Sequence, residues 1–170
     1  MEVAARDGPK ALTLATVASA ANVSKGGLLY HFATKEALLA GLVGECLDRW
    51  SALVSEISVR DPEPIGAGAR AYVDVAASIG QDPTRELALL AATALDPATG
   101  DLWRDAAEEW IAVDTVEDDD FAIDLLVARL AADGLWLARA LDLYQLSDEL
   151  LGEVATRIRR IASPPAKEKG

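Results

Sequence analysis

The sequence has few of the residues that build disulfide-stabilised or β-rich domains. It contains one cysteine, Cys46, so no disulfide can form within the chain. Aromatic residues make up only 5% of its 170 positions, whereas hydrophobic residues, many of them Ala and Leu, make up 51%. Ala and Leu favour helices, and aromatic and β-branched residues favour strands. The composition therefore predicts an all-α protein.

Long apolar runs and the residue sets of most active sites are also missing. The longest apolar region, residues 121–146, is interrupted by charged side chains, so we expect no membrane span, no signal peptide and a cytoplasmic location. The single histidine, His31, is 15 positions from Cys46, and no glycine-rich phosphate loop is present. Because no nucleophile has a plausible base, we expect neither an enzyme nor a cofactor.

Acidic residues are absent from residues 8–35, which contain Lys10, Lys25 and Lys35. Residues 1–60 hold six basic and six acidic side chains, so the net charge of -12 comes entirely from residues 61–170. Such an asymmetry is typical of a protein that presents one basic surface to nucleic acid. We therefore expect DNA to approach the N-terminal part of the chain.

Capping residues and apolar spacing predict several N-terminal helices within residues 1–58. The predicted N-caps are Thr13, Ser24 and Thr34, because their side-chain oxygens can accept hydrogen bonds from free backbone N–H groups. Asn22 tolerates positive φ and is expected in a tight turn, with Val23 between the helices. The predicted helices cover residues 1–6, 14–21, 25–31 and 35–58.

The second and third of these helices form the outline of a helix-turn-helix. The residues that carry the pattern are Thr13-Leu14, Val17-Ala18, Ala21 to Ser24, Gly26, Leu28, His31-Phe32, Lys35-Glu36 and Leu38. They closely resemble the DNA-binding domain of the tetracycline-repressor (TetR) family of bacterial transcription regulators. The resemblance implies a three-helix DNA-binding domain followed by a helical domain for ligand binding and dimerisation. It also implies that residues 1–6 are a truncated version of a first helix that is about twice as long in the family.

The resemblance further implies that the second helix of the motif enters the major groove of double-stranded DNA. The expected contacts with bases or phosphates are Thr13, Lys25, Gly26, Gly27, Tyr30, His31 and Lys35. Core packing is the alternative for Tyr30 and His31. Leu28, Leu29 and Phe32 are expected in the core.

Beyond the proline-containing loop at residues 60–66, we expect a second domain over residues 59–163 and a disordered tail over residues 164–170. Its predicted helices cover residues 67–80, 83–95, 101–116, 119–143 and 147–162, with Ser147 as the N-cap of the last. The acidic residues between Asp114 and Asp124 are interpreted as ordinary helix N-terminal charges, with a metal site as the less favoured alternative.

The last two predicted helices carry enough apolar residues to form a dimer interface, as the family resemblance also implies. The residues assigned to this interface are Leu126, Leu130, Leu137, Leu151, Val154 and Ile158. Candidates for a pocket that binds a small, largely apolar effector are Trp50, Trp103, Trp110, Phe121 and Trp136. Plain core packing is the alternative for each of these aromatic residues.

Together these features predict a homodimeric regulator, most consistent with a repressor that an effector releases from a palindromic operator. The alternative is a helical, dimeric interaction protein that has kept the fold and lost DNA binding. The short first helix supports this alternative, because that helix braces the other two in the family.

Overall fold

The computed structural model describes residues 13–78, 97–112, 114, 119–140 and 143–164, and these form seven α-helices and one 3₁₀ turn without any strand. This confirms the all-α prediction. The helices are α1 (Leu14–Ala20), α2 (Lys25–His31), α3 (Lys35–Ser58), α4 (Ala67–Ser78), α5 (Pro97–Ala112), α6 (Asp119–Ala140) and α7 (Asp148–Ile161). The 3₁₀ turn, Leu143–Gln145, precedes α7.

The N-caps show why the helices begin where they do. Thr13 forms a capping box with Thr16, and the Oγ of Ser24 accepts a hydrogen bond from the Gly27 N–H at 3.0 Å. Thr34 and Ser147 accept equivalent bonds, at 3.1 Å and 3.2 Å, from the N–H groups three residues later. All four predicted caps are confirmed, and a cap of this kind stabilises a helix by about 1 kcal/mol.

Some helix ends differ from the sequence prediction. α5 begins at Pro97, four positions earlier than predicted, because proline needs no hydrogen-bond partner in the first turn of a helix. The predicted helix over residues 119–143 ends at Ala140. The predicted helices over residues 1–6 and 83–95 and the tail beyond Pro164 lie outside the described residues.

The chain divides into two compact units. Unit 1 consists of residues 1–49 and 82–106, and unit 2 consists of residues 50–81 and 107–170. The division falls inside α3 and inside α5, so the end of α3, from Trp50 onward, belongs to unit 2.

Unit 1 is built around the start of α3. Leu38 and Leu39 are 2% and 4% exposed, and the partly buried residues Leu14, Val17, Phe32 and Leu42 pack against them. Apolar residues spaced three and four apart on α1 and α3 thus meet in one small core. This core holds the two helices of the helix-turn-helix against α3.

Unit 2 has α4 at its centre. Nine of the twelve residues of α4 are buried, and the helix packs against both α6 and α7, which also pack against each other. The facing side of α6 carries Ala128 and Ala132, both 0% exposed. A helix that is covered on most of its sides must be apolar nearly all round, which explains the composition of α4.

A buried arginine joins the two ends of unit 2. Arg70 of α4 donates to the carboxylate of Asp61 and to the carbonyl oxygens of Glu63, Ile65 and Ala162. Gly66 has φ +75°, and a Cβ there would lie 2.5 Å from the carbonyl oxygen of Ala162. Only glycine permits this close approach, so the loop after α3 is fastened directly to the end of α7.

Candidate functional site

The turn between α1 and α2 has the geometry of a helix-turn-helix. Asn22 adopts φ 54°, as predicted from its tolerance of the left-handed region. The backbone N–H of Val23 donates to the carbonyl oxygen of Ala18 at 3.0 Å, which closes the turn. Ala18 is 3% exposed, so a small residue lies buried in α1 just before the turn. The side chain of Val23, expected between the helices, is instead 48% exposed.

One side of α2 is anchored and the other is open. Leu28 is 8% exposed, whereas Lys25, Gly26, Gly27 and Tyr30 are exposed. A Cβ added at Gly26 would meet no atom within 4 Å, so the packing of the protein itself does not require glycine there. The open face of α2 therefore combines a cation, two positions without side chains and a phenol.

Tyr30 and His31 do not pack in the core. The Tyr30 side chain is 88% exposed, His31 is exposed, and their rings meet edge to face with centroids 5.3 Å apart. This overturns the alternative of core packing for both residues. Leu29, expected in the core, is 39% exposed, because it follows Leu28 by one position and so points away from the buried face.

The N-terminus of α3 is already occupied by groups of the chain itself. Thr34 caps the N–H of Ala37, and hydrogen bonds to the backbone and to Thr34 hold the pKa of the exposed Glu36 carboxyl below its ordinary value. Lys35 is half-buried beside them. Lys35 can therefore attract a phosphate through its charge. The helix end beside it does not offer a full set of free N–H groups.

The described part of the motif carries positive charge only. Residues 13–35 contain Lys25 and Lys35 and no carboxylate, and neither lysine forms an ion pair with another described residue. The predicted DNA contacts that are described are thus all placed on α2 or at the starts of α1 and α3. Lys10 lies outside the described residues.

A second feature, in unit 2, is a cluster of four aromatic rings, which we call the aromatic cluster: Trp50, Tyr72, Trp110 and Trp136. The ring of Trp50 stacks on Trp110 with centroids 5.9 Å apart and meets Tyr72 and Trp136 edge to face, at 5.5 Å and 6.4 Å. Trp50 therefore contacts two of the other four predicted pocket residues, Trp110 and Trp136. Tyr72 was missed, because nothing in the local sequence links it to Trp50.

The other two predicted pocket residues are Phe121 and Trp103. Phe121 is buried in unit 2, 6% exposed, and Trp103 belongs to unit 1. The Nε1 atom of Trp103 is buried without a hydrogen-bond partner among the described residues.

Polar groups of α3 and α6 border the aromatic cluster. The hydroxyl of Tyr72 donates to the Asp133 carboxylate at 2.6 Å, and the indole N–H of Trp110 donates to Ser51 at 2.8 Å. Partial desolvation raises the pKa of the Asp133 carboxyl, although this residue is exposed and the Tyr72 hydrogen bond opposes the shift. Burial raises the pKa of the Tyr72 phenol. Sequence reasoning did not find these polar residues.

Asp114 requires a correction. The sequence predicts an ordinary helix N-terminal charge at this position, but the Asp114 carboxylate is 4% exposed and pairs with Arg129 at 2.6 Å. It also accepts a hydrogen bond from the Gly68 N–H at 3.1 Å. Asp114 is therefore a core residue of unit 2, because Arg129 on the packed face of α6 requires a buried counter-charge.

The predicted dimer interface divides between exposed and buried residues. Leu126, Leu130 and Leu137 of α6 are 46%, 62% and 36% exposed, and Val154 is half-buried. Leu151 and Ile158 are each 6% exposed, because the face of α7 that carries them packs inside unit 2. Their assignment is therefore revised from interface to core.

The exposed apolar residues of α6 follow a regular spacing. Ile123, Val127, Leu130 and Leu137 are exposed, and Gly134, where a Cβ would meet no atom within 4 Å, completes a pattern of four and three residues. Such a pattern is the seam that packs against a second helix in coiled coils and helical bundles. We call these five residues the α6 seam.

Two further properties concern the described residues alone. No group of three or more His, Cys, Asp or Glu side chains in them is arranged to hold a metal ion. No described helix is both long enough and apolar enough to cross a membrane.

Family comparisons cover both parts of the chain. Residues 1–42 match the family model described as bacterial regulatory proteins, tetR family. Residues 66–163 match the model described as tetracyclin repressor-like, C-terminal domain. No curated protein matched the sequence.

Proposed function

Because this chain belongs to the TetR family and is thus a DNA-binding transcriptional regulator, we propose that it acts as a homodimeric, effector-released repressor of a palindromic operator. The observation that carries the proposal is the open face of α2. Tyr30 is 88% exposed on this face, together with the exposed Lys25, and residues 13–35 contain no carboxylate. The turn at Asn22 fixes the orientation of α2 relative to α1.

In this proposal α2 lies in the major groove, where protein side chains read base edges. Lys25 and Tyr30 contact bases or the phosphate backbone, and Gly26 and Gly27 let the helix approach closely. Thr13, His31 and Lys35 contact phosphates on either side of the groove. The acidic unit 2 repels DNA elsewhere and so disfavours misplaced binding.

Dimerisation places two copies of α2 about 34 Å apart, one turn of DNA. The α6 seam supports a homodimer, since its exposed apolar side chains gain most when a second copy covers them. Because Gly134 has no side chain and open space beside it, two copies of α6 can come close together at this position.

The effector binds in unit 2, against the aromatic cluster. Its rings offer the apolar surface that a small ligand needs, and Tyr72, Asp133 and Arg129 supply a few polar groups beside it. Trp50 of this cluster lies on α3, the same helix that begins with Lys35. A change at Trp50 can therefore act on the DNA-binding end through α3.

A gel shift with the intergenic DNA next to the protein's own gene tests this function, with unrelated DNA of equal length as the control. If Lys10, Lys25 and Lys35 of two subunits neutralise six phosphates, log K falls with log salt with a slope of about -5. A specific shift with this slope is the expected result. No specific shift at low salt would favour the alternative, a dimeric interaction protein that has lost DNA binding.

A further inference from the structure

One buried side-chain donor in unit 2 lacks an acceptor within the described part of the chain. The side chain of Arg129 is 8% exposed, and its Nη2 donates to the carboxylate of Asp114 and to the carbonyl oxygen of Trp110, both at 2.6 Å. Its Nη1 is buried and has no hydrogen-bond partner among the described residues. A buried donor without an acceptor is unfavourable and rare in folded proteins, so it requires an explanation.

This donor lies at the edge of the aromatic cluster. The Cζ atom of Arg129, to which Nη1 is bonded, is 5.4 Å from the centroid of the Tyr72 ring. An aromatic face accepts an N–H group only weakly, so Tyr72 does not replace an oxygen acceptor. Arg129, Asp133 and Trp136 are spaced four and three residues apart and therefore share one face of α6. The guanidinium and the aromatic rings therefore lie side by side.

The charges around Arg129 decide which acceptor fits. Asp114 already neutralises the guanidinium, and Asp133 lies near enough to interact with it electrostatically. A further carboxylate would add a third negative charge to one positive charge in a partly buried site, at a high desolvation cost. An uncharged oxygen can accept from Nη1 without that cost.

The geometry points to Arg129 Nη1 as the group that binds an uncharged carbonyl oxygen of the effector, whose apolar part lies against the aromatic cluster. This assignment rests on the proposed binding of an effector in unit 2. It defines the effector class as an aromatic or alicyclic ketone, ester or amide, rather than a hydrocarbon or a carboxylic acid.

Three probes of nearly equal size test the assignment on the full-length protein: acetophenone, ethylbenzene and benzoate. Their dissociation constants are measured by saturation-transfer NMR. A hydrogen bond to a charged donor contributes about 1.5–3 kcal/mol, so acetophenone should bind at least about tenfold more tightly than ethylbenzene. Benzoate should bind more weakly than acetophenone.

The variant Arg129→Lys keeps a cation for Asp114. It replaces the planar guanidinium, which has two terminal nitrogens, by a single ammonium nitrogen, so no group remains in the place of Nη1. It should lose most of the preference for acetophenone over ethylbenzene. Arg159→Lys is the matched control, because Arg159 pairs with Asp74 on the other side of α4 and should leave the preference unchanged. If Arg129→Lys does not fold, the comparison of probes on the wild type decides alone.

Equal binding of acetophenone and ethylbenzene, preferred binding of benzoate, or no binding of any probe would overturn the assignment. A preference that survives in folded Arg129→Lys would overturn it as well. The gel shift without probe is recorded on the same preparations, so a failure to bind DNA is seen separately from a failure to bind the ketone.

Discussion

The guanidinium of Arg70 donates from Nε to the carboxylate of Asp61 at 2.8 Å, with both side chains at most 10% exposed. The same arginine holds three backbone carbonyls of the loop after α3 and of the end of α7. Asp61 also accepts from the backbone N–H of Glu63 at 3.0 Å. This pair therefore fastens the end of α3 to the centre of unit 2.

Asp61 should make the stability of unit 2 depend on acidity. The hydrogen bond from Arg70 holds the pKa of the Asp61 carboxyl below its ordinary value of 3.8. A lowered folded-state pKa stabilises the folded protein above the unfolded pKa, and this contribution is lost as the pH falls through the folded value. Urea unfolding of the wild type should therefore show a loss of stability below about pH 4.

Asp61→Asn should be less stable than the wild type at pH 7 by about 3 kcal/mol, because the buried Arg70 loses its counter-charge. On acidification, the variant should lose less stability than the wild type. Asp148→Asn, at a 91% exposed position, should keep the wild-type pH dependence. If Asp61→Asn loses as much stability at low pH as the wild type does, the Asp61 carboxyl is not the source of this pH dependence.

Replacing Gly26 by alanine should separate stability from DNA binding. The added Cβ meets nothing within 4 Å in the protein, so alanine should raise the free energy of unfolding by about 0.5–1 kcal/mol. On DNA the same methyl group obstructs close approach, and we expect at least a tenfold loss of affinity. Gly44→Ala on α3, where the space is also open, should gain stability and keep DNA affinity. Equal affinities of the two variants would show that α2 does not approach the groove at Gly26.

Truncation of Tyr30 should weaken DNA binding without a change in stability. Its side chain is 88% exposed, so Tyr30→Ala removes little packing, and the thermal midpoint should stay within a degree or two. We expect a loss of DNA affinity of at least about tenfold in fluorescence anisotropy. Tyr144→Ala, at an 82% exposed tyrosine of the turn before α7, is the matched control. A similar effect of both substitutions on DNA affinity would remove Tyr30 from the interface.

Lys25→Gln should lower the salt dependence of DNA binding. Each phosphate contact contributes about 0.9 to the slope of log K against log salt, so two subunits should lose about 2 from the slope. Arg60→Gln in unit 2, an exposed residue that pairs with Glu56, should leave the slope unchanged. Titrations at four salt concentrations measure the difference, and an unaltered slope in Lys25→Gln would place this lysine away from phosphates.

A charge in the α6 seam should separate the proposed dimer. Leu130 is 62% exposed, so Leu130→Glu should leave each chain folded and yield monomers in light scattering after gel filtration. Ile111→Glu, at a 50% exposed position of α5, should remain dimeric. Leu151→Ala should instead lower stability by about 2–4 kcal/mol, because Leu151 lies in the core. A dimer that withstands Leu130→Glu would reject the seam.

Local features of this protein could be predicted from the sequence because they depend on neighbouring residues. Thr13, Ser24, Thr34 and Ser147 each cap an N–H three positions away, and Asn22 adopts a positive φ, which asparagine tolerates better than most residues. Interactions of this range need no knowledge of how the helices pack. The helix-turn-helix and its basic, acid-free segment were predictable for that reason.

The sequence by itself thus determined the helical class, the order of the described helices and the position of the candidate DNA-binding face. Only the tertiary structure decided which faces of α4, α6 and α7 meet. The packing of these faces buries Leu151 and Ile158, brings Tyr72 into contact with Trp50, and pairs Arg129 with Asp114. Many residues on a helix are apolar enough to be buried. Which of them are buried depends on the helices that pack against it, and those contacts join residues far apart in the chain.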